Sequence, residues 1–154
     1  MAEGDITFFN KFKKAQLDGA APLSSMPVDF DTDTIKLAVL TAEPDTGDSS
    51  TDEHWDDVSA DQVSTGGTEY TGPVTLGSVN ITLSSGVVSV DYADVVINQD
   101  ASGFSNGTWV VVFKDTGTPA TSPLILKGEL GTAKGNTGGS LTFSWHTNGL
   151  FQLS

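Results

Sequence analysis

Two short stretches of this sequence hold residue types dense enough to do chemistry. The first, Asp29-Phe30-Asp31-Thr32-Asp33, places carboxylates at alternate positions, the spacing with which a calcium loop begins. Such a loop also needs a glycine at its sixth position for the sharp turn and a bidentate Glu at its twelfth. Those positions are Thr34 and Leu40 here, and 34–41 carries the apolar run of a strand. The three acids therefore read as solvent-facing or turn-capping groups, with a divalent ion as the competing reading.

The second stretch is Asp52-Glu53-His54-Trp55-Asp56-Asp57, the densest set of hard ligands in the chain. Carboxylates beside an imidazole can hold an ion. The other histidine, His146, is far off in sequence, no H-E-x-x-H spacing occurs, and there are no cysteines. An acidic loop anchored by a buried Trp55 is the favoured reading. Nucleophilic chemistry has even less to work with. Ser and Thr are abundant, but there is no G-x-S-x-G elbow, and two histidines give few choices of general base. The run Gly135 to Gly139 lacks the Lys-Ser/Thr ending of a phosphate loop and joins two expected strands. No enzymatic activity, cofactor or metal is expected.

The elements that would carry these residues are strands. Gly, Pro, Ser and Thr are scattered throughout, charged residues make up only 18% of the chain, and all seven basic residues are lysine. Composition of this kind favours short strands with frequent turns over long helices. Ile35 to Thr41 reads as a buried strand, and Trp55-Asp56-Asp57-Val58 as one helical turn that plants Trp55 on the core. From Pro73 the pattern becomes regular: Val74 to Leu83, a turn at Ser84-Ser85-Gly86, then Val87 to Val90 as a hairpin. Further strands are expected at Ala93–Asn98, Trp109–Phe113 (the most apolar, hence central), Leu124–Glu129, Leu141–Trp145 and Leu150–Leu153. The spacing suits an all-β, two-sheet sandwich of jelly-roll or Greek-key type with a short N-terminal helix. That helix spans about 5 to 19, with Asp5 as N-cap, Phe8, Phe12 and Ala15 on one face, and Gly19 as its end. The expected division is 1–28, N-terminal helix and linker arm, and 29–154, β-sandwich domain.

Charge narrows the partners. The net charge is −13, from 20 acids against 7 lysines, and 14 of those acids with 4 lysines fall in residues 1 to 61. Such a surface repels phosphate, so nucleic acid is excluded as a partner. The acidic start lacks the basic and apolar regions of a signal peptide, and no apolar run reaches membrane-spanning length. A soluble protein made in the cytoplasm, with no membrane partner, is expected.

Several segments, in order, resemble a family of small structural proteins encoded beside the major capsid protein in tailed phages. They are Phe9-Asn10-Lys11-Phe12 through Leu17-Asp18-Gly19, Asp29 through Thr41, and His54-Trp55-Asp56-Asp57-Val58-Ser59-Ala60-Asp61-Gln62-Val63. Tyr70-Thr71-Gly72, Val112 through Thr118, Ser122-Pro123-Leu124-Ile125 and Asn148 through Ser154 complete the set. The resemblance implies a virion component on the capsid exterior, a decoration or cement subunit. Its partners would be the major capsid protein and further copies of itself in a symmetric oligomer. A tail, neck or fibre module and a host-glycan-binding sandwich are the alternatives. Phe8, Phe9, Lys11, Phe12, Lys13 and Lys14 form the candidate partner interface, the aromatics either covering the open end of the sandwich or docking on another subunit.

Overall fold

A computed structural model describes residues 6–18, 27–146 and 148–153. In chain order the elements are β1 (Ile6–Phe8), α1 (Asn10–Asp18), β2 (Ile35–Leu40), α2 (Trp55–Val58), β3 (Val74–Thr75), β4 (Asn80–Ser84), β5 (Val87–Asp91), β6 (Val95–Ile97), β7 (Gly107–Lys114), β8 (Leu124–Lys134), β9 (Leu141–Phe143) and β10 (Phe151–Leu153). The fold is all-β and sandwich-like, with two short α-helices among the described residues. A five-stranded sheet runs β1-β8-β7-β2-β3, a three-stranded sheet β10-β5-β4, and β6 pairs with β9. Every pairing is antiparallel.

The large sheet forms where the apolar runs are continuous. Val110, Val111, Val112 and Phe113 of β7 are buried, as are Leu37 to Leu40 of β2 and Leu124 to Leu126 of β8. Alternate side chains leave a strand on opposite faces, so runs buried at every position mark strands covered on both sides. Trp109-to-Phe113 takes the central place its composition predicts, between β2 and β8. Val90, Val95, Ile97 and Phe143 bring the two smaller sheets into the same core.

Three local features differ from the sequence reading. The helix starts at Asn10, and Ile6–Phe8 is a strand paired with Leu126 to Gly128 of β8. The β-branched and aromatic residues Ile6, Thr7 and Phe8 suit a sheet edge, and that pairing outweighs the helical spacing of Phe8 with Phe12. The expected caps Asp5 and Gly19 lie outside the described residues. The stretch from Val74 to Leu83 is split in two, because Ser78 adopts a positive φ of 55° and the chain passes from one sheet to the other. Finally, β8 runs on to Lys134, its polar end paired through Gly107 of β7.

Trp55 lies where the sequence places it, on α2 and against Phe113 with ring centroids 4.8 Å apart and an interplanar angle of 2°. The hairpin β4–β5 closes through Ser85 and Gly86, at φ 52° and 83°. Two successive positive φ values define the turn whose twist matches that of the flanking strands. At Gly135 the backbone of Phe104 approaches so closely that a Cβ would overlap its carbonyl, which explains a glycine in that loop without any ligand.

Candidate docking surface

The acids that sequence spacing singles out are engaged with the backbone and with lysines. In the Asp29–Asp33 turn, the Asp31 N–H donates to the Asp29 carboxylate at 3.0 Å, and the Asp29 N–H to the Asp33 carboxylate at 2.8 Å. Asp33 also pairs with Lys114 at 2.9 Å. The Thr32 hydroxyl, and then the Asp31 N–H, hold the Asp29 carboxyl below the usual carboxylate range. These are turn caps of the kind the spacing predicts.

The acidic excursion is organised in the same way. Asp52 accepts the Asp45 N–H at 2.8 Å, Asp45 accepts the Gly47 N–H at 2.9 Å, and Asp57 accepts the N–H groups of Glu53 and His54 at 3.0 and 2.9 Å. Farther along, Asp100 accepts from Thr68, Glu69 and Ser102, with the Thr68 and Ser102 N–H groups chiefly lowering its pKa. Ligand atoms of His54, Asp56 and Asp57 lie within 4.8 Å of one another. They are the residues best placed to hold a metal ion among those described, and His54 Nε2 is buried without a hydrogen-bond partner. Asp57 is at the same time the cap of its own helical turn.

Lysine fastens this excursion to the sheet. Lys127 of β8, with its side chain only 8% exposed, reaches Glu43 and the Pro44 carbonyl, both at 2.6 Å, and lies 5.0 Å from the Trp109 ring. Tyr70 is buried with its hydroxyl accepting from the Val39 N–H at 3.2 Å and the Gln62 amide at 2.9 Å.

The predicted interface residues separate into two groups. Phe9 and Phe12 are core residues, 3% and 6% exposed, and leave almost no surface for a partner. Phe8 is half-buried in an aromatic group that joins three parts of the chain. It stacks on Phe12 at 5.7 Å and meets Phe151 edge-on at 5.0 Å, while Phe30 contacts Phe12 and Phe151 at 6.2 and 5.2 Å. Of the two sequence readings for these aromatics, covering the sandwich is the one the packing matches. Lys11 pairs with Glu53 and donates to the Ser50 carbonyl at 2.7 Å, tying α1 to the excursion. Gln16 brackets Val28, accepting its N–H and donating to its carbonyl. Lys13 and Lys14 do face solvent, Lys14 paired with Asp18 one turn on. Beside them Leu17 is 90% exposed, a residue that sequence reasoning passed over because a single leucine in a short helix carries no signal of its direction.

The remaining large exposed hydrophobics are Ile81, Leu83, Val96 and Leu153. Every Phe, Tyr and Trp is buried or half-buried. Trp145 donates its indole N–H to the Ala93 carbonyl at 3.1 Å. A glycan platform would need an aromatic face open to solvent. A shallow depression of about 160 Å³ on the polar face of the three-stranded sheet is lined by Asn80, Thr82, Ser89, Asp91 and Gln152, with no aromatic ring.

These features define a fold class, an all-β, sandwich-like protein of strongly acidic composition. Compared with known proteins, the chain matches no family model, no curated protein and no solved structure.

Proposed function

We propose that this protein is a capsid-decoration subunit of a tailed phage. It would bind the outside of the major capsid protein shell, with copies contacting one another, and add stability copy by copy. The observation that carries this reading is a division of labour on the surface. The acids are largely spent on turn caps and ion pairs, whereas exposed apolar side chains stand at the outer face of α1 and on the three-stranded sheet. A module that offers apolar and charged patches suits work done by burying interface area.

Charge supports the exterior. A chain of −13 is repelled by packaged DNA at the inner wall, and outside it keeps particles apart. A shell subunit multiplies a modest contact over many copies, and no catalytic group is required for that.

The test is co-sedimentation of the purified protein with shells that lack it, followed by heating of the complex. Binding near saturation and a higher shell-disruption temperature are expected. A triple substitution on the outer face of α1, Lys13→Glu, Lys14→Glu and Leu17→Ser, weakens binding at least tenfold and leaves the fold intact. Deleting the segment is a poorer test, because β1 and Phe9 belong to the sheet and core. Shells that neither bind the protein nor gain stability contradict the proposal.

A further inference from the structure

The three-stranded sheet ends in an unprotected edge. Every residue of β4 is exposed, and among the described residues no strand pairs with its outer side. Edge strands are normally blunted by lysine, proline, a bulge or a covering loop. Asn80-Ile81-Thr82-Leu83-Ser84 contains no charge and no proline, and its register with β5 is unbroken. Ile81 and Leu83, on one face, are 45% and 73% exposed. Across the sheet, Leu83 aligns with Val88 and Val88 with Leu153, so an apolar row continues inward from the edge, half-buried at Val88 and exposed again at Leu153.

The hairpin determines which backbone groups face outward. A two-residue turn at Ser85-Gly86 makes Ser84 and Val87 a hydrogen-bonded pair. By alternation Thr82 and Asn80 also bond toward β5, and the N–H and C=O groups of Ile81 and Leu83 point to the open side.

We propose that this edge is a self-association strand, pairing antiparallel with β4 of a second copy about a two-fold axis at Thr82. In that register Ile81 lies opposite Leu83 of the second copy and exchanges both backbone hydrogen bonds with it. Thr82 meets its own equivalent, and Asn80 meets Ser84. Apolar residues fall opposite apolar ones and polar opposite polar, because the register preserves the face of every side chain. An antiparallel edge is its own complement under two-fold symmetry.

Charge selects a second copy as the occupant. Two chains of −13 repel across most of their surfaces, and a basic partner is drawn to the acids concentrated in the first 61 residues. From Tyr70 to Val90 there is no charged side chain, and the neighbouring acid Asp91 sits one strand in, opposite Asn80, so β4 meets β4 with neutral side chains. The pairing gives the self-association named above a surface. Its test uses the isolated protein, so it stands or falls separately from capsid binding.

A five-residue strand buries less than the roughly 1,200 Å² of a standard stable complex. The expected dissociation constant of the free protein is therefore about 10 μM to 1 mM. Sedimentation equilibrium up to about 1 mM should show the mass rising toward twice the 16.0 kDa chain. Leu83→Pro removes an outward N–H without touching the β4–β5 bonds, and Ile81→Lys sets a charge on the edge. Each should raise the dissociation constant at least tenfold. Cross-linking tests the register in a chain that has no cysteine of its own. Oxidised Thr82→Cys should form a covalent dimer, its two sulfurs carried by directly opposed residues. Asn80→Cys should not, because its equivalent lies beyond disulfide reach of about 7 Å between Cα atoms. The chain mass at every concentration, a dimer indifferent to both edge variants, or cross-linking at residue 80 in preference to 82 overturns the proposal.

Discussion

The five-stranded sheet and the β4–β5 hairpin are built from similar residue types and end in opposite states. In β7, Val110 to Phe113 are fully buried, and ion pairs Lys36–Asp115 and Lys114–Asp33 tie the same region to its surroundings. The β4 strand leaves Ile81 and Leu83 in solvent. What separates them is coverage: β7 has a partner on each side and apolar neighbours above and below, while β4 has, among the described residues, one partner strand and one open edge. One region holds the fold, and the other keeps apolar side chains in solvent.

The widest difference should appear in truncations. Phe113→Ala removes a ring stacked on Trp55 and 1% exposed, and should cost about 3–5 kcal/mol in urea unfolding. Leu83→Ala, measured at a concentration where the protein is monomeric, should change stability by no more than about 0.5 kcal/mol. Equal effects would dissolve the distinction between the two regions.

Next in size are the polar groups that seal the large sheet. Lys127→Met keeps the apolar stem against Trp109 but deletes the contacts to Glu43 and the Pro44 carbonyl. Glu43 is more than half exposed and stays solvated, so a loss of about 1–3 kcal/mol is expected rather than the larger cost of a stranded buried charge. Tyr70→Phe leaves the buried Val39 N–H without its acceptor and should cost about 1–2 kcal/mol by the same measurement.

The smallest effect expected is a gradual one with pH. Asp29, Asp100 and Asp115 titrate below their ordinary range, Asp115 chiefly through its bond with Lys36. Because the folded chain binds these protons less readily than the unfolded chain, the stability they contribute is full above about pH 4. It is lost as the pH falls through the lowered values. Asp115→Asn should flatten the acid limb of a stability–pH curve, and an unchanged limb would remove Asp115 from the account. At the alkaline end burial raises Tyr70, so stability should decline above about pH 10 as the unfolded chain ionises.

Much of the large sheet was legible because apolar runs such as Trp109 to Phe113 and Ile35 to Leu40 have few other uses in a chain of this composition. Trp55 was legible too, as a single large anchor in an acidic loop. The failures share a cause, which is dependence on distant partners. Ile6–Phe8 becomes a strand only because β8 is beside it, and the polar end of β8 is a strand only through β7. Phe9 and Phe12 were legible as a cover for the sandwich, but not the partners they meet there, Val28 in the core and Phe30 packed against it. The open edge of β4 was invisible for the complementary reason, since strand order cannot be read from periodicity.

Decoration makes its most direct claim about copy number. Quantitative mass spectrometry of purified particles gives the ratio of this protein to the major capsid protein. A ratio near one, or a simple fraction such as about one third, is the result the account predicts for a subunit repeated by shell symmetry. A few copies per particle would place the protein in the tail, neck or fibres, and absence from particles would contradict the virion reading altogether.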